Sequence, residues 1–154
     1  MLHSSDVPQA DVLNDVIKSV RFIANNPGCT DEEIGDYIGK VDRQGRYYRD
    51  AAELLGFIEH NENRHWSTAN GDYYLSLSSD EQVAYLKECV MNLKVFRLAL
   101  DVIINNPGCT KAAIKKMLKK EGISESLSGR RNSSIVEWLV YLRIIKRTGD
   151  SLYA

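Results

Sequence analysis

The chain has 154 residues, of which 44% are hydrophobic and 27% charged, with a formal net charge of −1. This is ordinary globular composition, and no run of about eighteen apolar residues occurs that would span a membrane as a helix. Three cysteines with no CxxC pair, and three histidines (His3, His60, His65) at no ligand spacing to them, exclude a disulfide framework and a structural zinc site and predict a reduced, cytoplasmic setting, nucleoid-associated if bacterial. Residues 1–9 lack the charged-then-apolar pattern of a signal peptide.

Val12, Val16, Ile17, Val20 and Ile23 recur at helical spacing. They predict a first helix ending at Asn25 and Asn26, where Pro27 and Gly28 stop it. Thr30 then caps a second helix, and Glu33 completes a capping box. Ile34, Tyr37 and Ile38 give that helix its apolar face, and Gly39 ends it. A third helix is predicted over residues 43–55, with Gly56 as its C-cap. Residues 57–60 and 64–67 read as two short strands around the polar turn Asn61-Glu62-Asn63. Thr68 opens a further short helix over 69–75.

The order helix, short helix, helix, hairpin resembles the winged-helix branch of the helix-turn-helix superfamily. Leu54-Leu55-Gly56-Phe57-Ile58 looks like the end of that family's recognition helix turning into the first wing strand. Ser67-Thr68-Ala69-Asn70-Gly71-Asp72-Tyr73-Tyr74 resembles the family's segment after the wing, in which Thr opens a helix containing Gly. The resemblance implies a mainly α fold with small β-hairpin wings.

The pattern then repeats. Ser78 and Glu81 have capping-box spacing at the start of a linking helix, which Asn92 breaks or bends. Phe96, Leu100 and Ile103 match Val16, Val20 and Ile23. The hexapeptide Asn-Asn-Pro-Gly-Cys-Thr of residues 25–30 recurs at 105–110, an offset of eighty. So long a period is a domain plus its linker, not a solenoid unit. Thr110 caps the next helix, which carries Ile114, Met117 and Leu118. After an insertion over 120–129, a third helix is predicted over 131–142, with wing strands at 144–146 and 151–153 around Gly149-Asp150. The offset there is eighty-seven, pairing Leu55 with Leu142 and Trp66 with Tyr153. The predicted division is a first module at 9–77, a linking helix at 78–92 and a second module at 93–154.

Charge separates the copies. Residues 1–78 carry seven Lys/Arg against thirteen Asp/Glu, a net of −6, while residues 79–154 carry thirteen against eight, a net of +5. Such a split points to a polyanion meeting the second half, or to attraction between the halves.

In a helix-turn-helix the third helix enters the major groove. At 100° per residue, Tyr48, Ala51, Ala52 and Leu55 form the buried face of the first such helix. Arg43, Arg46 and Asp50 then point outward, flanked by Tyr47 and Arg49, and Arg64 lies in the wing. In the second copy Ile135, Trp138, Leu139 and Leu142 are the buried face. Arg130, Ser133, Ser134 and Glu137 are expected outward, with Arg131 and Asn132 beside them. Lys115, Lys116, Lys119 and Lys120 precede this helix, and Lys146 and Arg147 lie in its wing. Together they predict a positive footprint on duplex DNA. Trp66 and Tyr153 are expected to pack under the wings, His60 and His65 to be surface histidines, and Ser126 and Ser128 to serve a loop or cap.

No P-loop, dinucleotide motif or nucleophilic triad is present, so the expectation is a non-enzymatic protein with no catalytic residues, no metal and no cofactor. Its expected partner is double-stranded DNA, read by tandem winged helices resembling those of transcription regulators or restriction–modification recognition modules. One chain then reads two DNA segments by itself or pairs as a homodimer. The rival expectation is a protein-interaction scaffold, with the acidic first module contacting another protein. A sequence pI of 6.3, below the value of about 9 common in nucleic-acid binders, favours that rival.

Overall fold

The computed structural model describes residues 1–154, with every side chain but that of Asp42. Its elements are a 3-10 turn (Ser4–Asp6), α1 (Leu13–Asn25), α2 (Asp31–Ile38), α3 (Asp42–Leu54), β1 (Ile58–Asn61), β2 (Arg64–Ser67), α4 (Ala69–Ser76), α5 (Ser79–Met91), α6 (Lys94–Asn105), α7 (Lys111–Lys120), α8 (Glu125–Tyr141), β3 (Lys146–Thr148) and β4 (Ser151–Tyr153). This is a mainly α fold with two small antiparallel hairpins, in the winged-helix order in each half. Among the described residues no helix is long and apolar enough to cross a membrane.

Two compact units are present. Val12–Leu86 form one, and Lys87–Ala154 with Met1–Asp11 form the other. The first is acidic, with seven Lys/Arg against thirteen Asp/Glu, and the second is basic, with thirteen against eight. Residues 9–11, expected at the start of the first module, thus belong to the basic unit. The division between units falls within α5, inside the segment read as the linker.

In the acidic unit α1 packs on α2 and α3 through Val16, Val20, Ile23, Ile34, Ala52 and Leu55, all buried. The capping box forms as the sequence predicts. Glu33 N donates to Thr30 Oγ1 at 3.3 Å and Thr30 N to Glu33 Oε1 at 3.0 Å, a cap of about 1 kcal/mol. Gly39 closes α2 at φ +69°. β1 and β2 pair in register from Ile58 opposite Ser67 to Asn61 opposite Arg64. After the wing, Thr68 caps α4 through Gly71 N. Gly71 lies so close to Phe57 that a Cβ there would sit 2.1 Å from the Phe57 carbonyl oxygen. Phe57 stacks on Tyr74 at 4.9 Å between centroids.

The basic unit repeats the plan with Phe96, Ile103, Ile114, Leu118, Ile135 and Trp138 in the core. Its third helix is longer than the sequence predicts. α8 starts at Glu125, within the segment read as an insertion, because Ser124 Oγ accepts from Leu127 N at 3.4 Å and supplies a cap. Ser128 lies inside this helix, buried, with its hydroxyl on Glu125 O.

The duplicated hexapeptide does more than turn a corner. In each unit its cysteine pairs with the second wing strand, Cys29 with His65 and Cys109 with Leu152. His65 N donates to Cys29 O at 3.0 Å, and Leu152 N to Cys109 O at 2.8 Å. Trp66 and Tyr153 lie over the corner glycines: positions for a Cβ on Gly28 and Gly108 fall 3.8 Å and 3.3 Å from these rings. Both aromatics pack at the wing, as expected, and keep one side in water.

Candidate nucleic-acid interface

In the basic unit the N-terminal segment decides which residues of α8 reach solvent. Leu2 N donates to Glu121 O at 3.0 Å, and Leu2, Val7 and Ala10 are buried. Arg131 Nη1 donates to the carbonyls of Ser4 and Val7, the latter at 2.6 Å. Trp138 Nε1 donates to Ala10 O at 2.6 Å. Ser134 Oγ donates to Asp11 Oδ1 at 2.7 Å and Ser133 Oγ to Asp11 Oδ2 at 3.3 Å. Residues 1–11 therefore form a strap along the 131–134–138 stripe of α8.

This corrects the expected outward face. Ser134 is fully buried and Asn132 is 8% exposed. Arg131 is spent on the strap's carbonyls, and Ser133 is half-buried beside Asp11. The helical wheel gave α8 one buried stripe, whereas the strap makes a second. Arg130 remains exposed on the strip that also carries Ser126 and Gly129. Further along, Glu137 binds Arg147 of the wing at 2.6 Å, so Arg147 is partnered within the unit.

The lysine run of α7 divides between two faces. Lys115 and Lys119 turn toward the start of α8, 3.5 Å and 3.1 Å from Glu125. Their ammonium groups, Lys119 first, hold the Glu125 carboxyl below its ordinary range. Lys115 also lies beside Gly129. Lys116 and Lys120 instead border a groove between α6 and α7. Lys115 and Lys119 thus flank one carboxylate at the first turn of α8, where the helix dipole adds positive potential, and Arg130 is exposed further along the helix. Lys146 is exposed on the wing.

In the acidic unit Arg43 and Arg46 are exposed on the first turns of α3, and Tyr47 is half-buried. Arg49, placed at the flank by the sequence, is buried, with Nε 3.1 Å from Asp31 Oδ1. Arg64 braces the corner, donating to Gly28 O at 2.9 Å. His65 is likewise not a surface histidine: it is 4% exposed, and its Nε2 donates to Asp31 Oδ1 at 2.6 Å. Asp31, Arg49 and His65 form a polar cluster under the wing, and a carboxylate at the start of α2 suits the helix dipole. At the equivalent positions the basic unit has Lys111, Val136 and Leu152. His60, exposed as expected, meets Glu53 Oε1 through Nδ1 at 2.6 Å. Desolvation raises the Asp50 carboxyl above its ordinary range. Among the described residues no group of three His, Cys, Asp or Glu side chains is placed to hold a metal.

A family model described as "Domain of unknown function (DUF7226)" matches residues 15–146. The chain belongs to this family. The match takes both copies of the DUF7226 chain's helix-turn-helix and stops at the start of the second wing. No curated protein matches the sequence. The DUF7226 chain is similar in structure to the mRNA-binding domain of elongation factor SelB from E. coli, solved in complex with SECIS RNA. The TM-score is 0.31 and the identity 10%, over 91% of this chain and 93% of that one; a likeness this loose carries no functional argument.

Proposed function

We propose that the chain binds double-stranded DNA through its basic unit, as a regulator or recognition module of a larger DNA-processing system, and that its activity is binding without a catalytic step. The observation that carries this reading is that Lys115 and Lys119 converge on the first turn of α8, with Arg130 exposed further along the same helix. Exposed Arg130, Gly129 and Ser126 suit close approach to a backbone, and Glu125 is the carboxylate that phosphate displaces from the two lysines. Lys146 on the wing adds a further phosphate contact. The reader is the first half of α8; Arg131, Ser133 and Ser134 belong to the strap contact, and Asn132 is buried. In the acidic unit Arg43 and Arg46 are the groups able to reach a second segment of duplex.

One observation favours a second reading, a protein-interaction module. Asp11 and Glu137 place carboxylates along the second half of α8, where a deeply seated recognition helix would meet phosphate. Fluorescence anisotropy with a duplex of about 25 base pairs, at roughly 50 and 200 mM salt, separates the two. Binding through four cations predicts a log–log salt slope of about −3 to −4, and Arg130→Ala reduces its magnitude by about 1. Absent binding at low salt, or binding indifferent to salt, would refute the DNA reading and leave the protein-interaction one.

A further inference from the structure

The duplication shows what the strap adds. The acidic unit is complete within residues 12–86, so a helix-turn-helix of this kind closes without a terminal segment. At the positions of Arg131 and Ser133 its third helix carries Gln44 and Arg46, both exposed. In the basic unit residues 1–11 take that space.

The chemistry of the contact runs one way. Arg131, Ser133, Ser134 and Trp138 of α8 donate, and the strap accepts through the Ser4, Val7 and Ala10 carbonyls and the Asp11 carboxylate. A nucleic-acid backbone likewise offers acceptors to Arg and Ser donors. At 100° per residue Arg130, Ser133, Ser134 and Glu137 share one side of α8. Asp11 bridges the two serines there, at 2.7 Å from Ser134 Oγ and 3.3 Å from Ser133 Oγ. Its carboxylate thus lies one turn beyond exposed Arg130, on the side the helix would turn to a groove. The strap is also acidic. Residues 87–154 carry thirteen Lys/Arg against six Asp/Glu, and the strap adds Asp6 and Asp11 with no cationic side chain of Lys or Arg.

We propose that the strap is autoinhibitory: Asp11 holds on α8 the place of a backbone phosphate, and duplex DNA must displace it to reach Ser133 and Ser134. The inference rests on the DNA reading above. The strapped unit binds through Lys115, Lys119, Arg130 and Lys146. Displacing Asp11 adds two hydroxyl donors and takes a like charge out of the interface.

The test titrates a duplex of about 25 base pairs, at roughly 50 mM salt, against the parent chain, D11A and D6N. Asp6 is the strap's other carboxylate and accepts from His3 N, so D6N makes the same change in net charge away from the two serines. D11A leaves the buried Leu2 and Val7 and the Trp138–Ala10 hydrogen bond in place. It should bind about tenfold tighter than the parent, with D6N within about twofold. Should circular dichroism show D11A unfolded, D11N decides, since it keeps an acceptor for the serines and loses only the charge; its expected gain is about threefold. Duplex binding by D11A but not by the parent would support the inference as well. Equal affinity of the parent and the deciding Asp11 variant, or an equal gain from D6N, would overturn the autoinhibition and leave the DNA reading standing. Binding by none of them would overturn the DNA reading and the autoinhibition with it.

Discussion

Trp138→Phe isolates the hydrogen bond that fastens the strap to α8. Trp138 is fully buried, stacks on Phe96 at 5.3 Å and donates Nε1–H to Ala10 O at 2.6 Å. Phe keeps the stacked ring and loses the donor. The buried Ala10 carbonyl is then unpaired, at a cost of about 1–3 kcal/mol. The missing part of the indole leaves a cavity of roughly 40 Å³, which adds about 1 kcal/mol at ~24 cal/mol per Å³. The sum is about 2–4 kcal/mol, read by urea unfolding with circular dichroism. The same substitution is then made in an L2S/V7S background, which removes the strap's two largest buried apolar side chains. Once the strap is released, Ala10 O is solvated and only the cavity term of about 1 kcal/mol persists. Equal losses in the two backgrounds would show that the tryptophan stabilises the unit by packing alone and that the strap contact is energetically idle.

Two further outcomes follow from the cap and wing geometry. Gly71→Ala places a methyl 2.1 Å from the Phe57 carbonyl oxygen, and since that neighbour is backbone, the acidic unit should lose about 2 kcal/mol or more; a melting temperature equal to the parent's would contradict the close approach. The carboxyls of Glu33, Glu81 and Glu125 are held below their ordinary value of 4.5, by the Thr30 amide and hydroxyl, by the Ser78 hydroxyl and amide, and by Lys119 and Lys115 respectively. A folded-state value below the unfolded one means that their contribution is complete above pH 4.5 and drains away as pH falls through the lower folded values. E33Q/E81Q/E125Q should therefore flatten the acid limb of a melting-temperature profile between about pH 5 and pH 3, and a limb as steep as the parent's would contradict the assignment.

The elements were legible because local signals agree with one another. Thr30 and Glu33 close the capping box their spacing predicts, and the repeated hexapeptide aligned two copies whose elements match. The candidate interface was less legible, for two reasons. The strap that claims Arg131, Ser133 and Ser134 has no periodicity: Leu2, Val7 and Ala10 are buried from an irregular segment more than 120 residues away in sequence, so a helical wheel drawn on α8 alone cannot register it. His65 is different, because a usable signal was present. Pairing Trp66 with Tyr153 sets His65 opposite Leu152, an inward apolar position. A histidine at such a place needs a partner, and Asp31, the first residue of the helix that Thr30 caps, supplies it.

The strap also sets a timetable for synthesis. Residues 12–86 hold everything the acidic unit packs, so that unit is complete as soon as it leaves the ribosome. The basic unit needs the first eleven residues and the last few together: Ala10 meets Trp138, and Leu152 joins Cys109. Its strap, residues 1–11, precedes its docking site on α8 by more than 110 residues and has nothing to dock on until α8 has been made. During that interval Leu2, Val7 and Ala10 stay exposed next to a finished neighbour, and an α8 from another chain offers them the same stripe as their own.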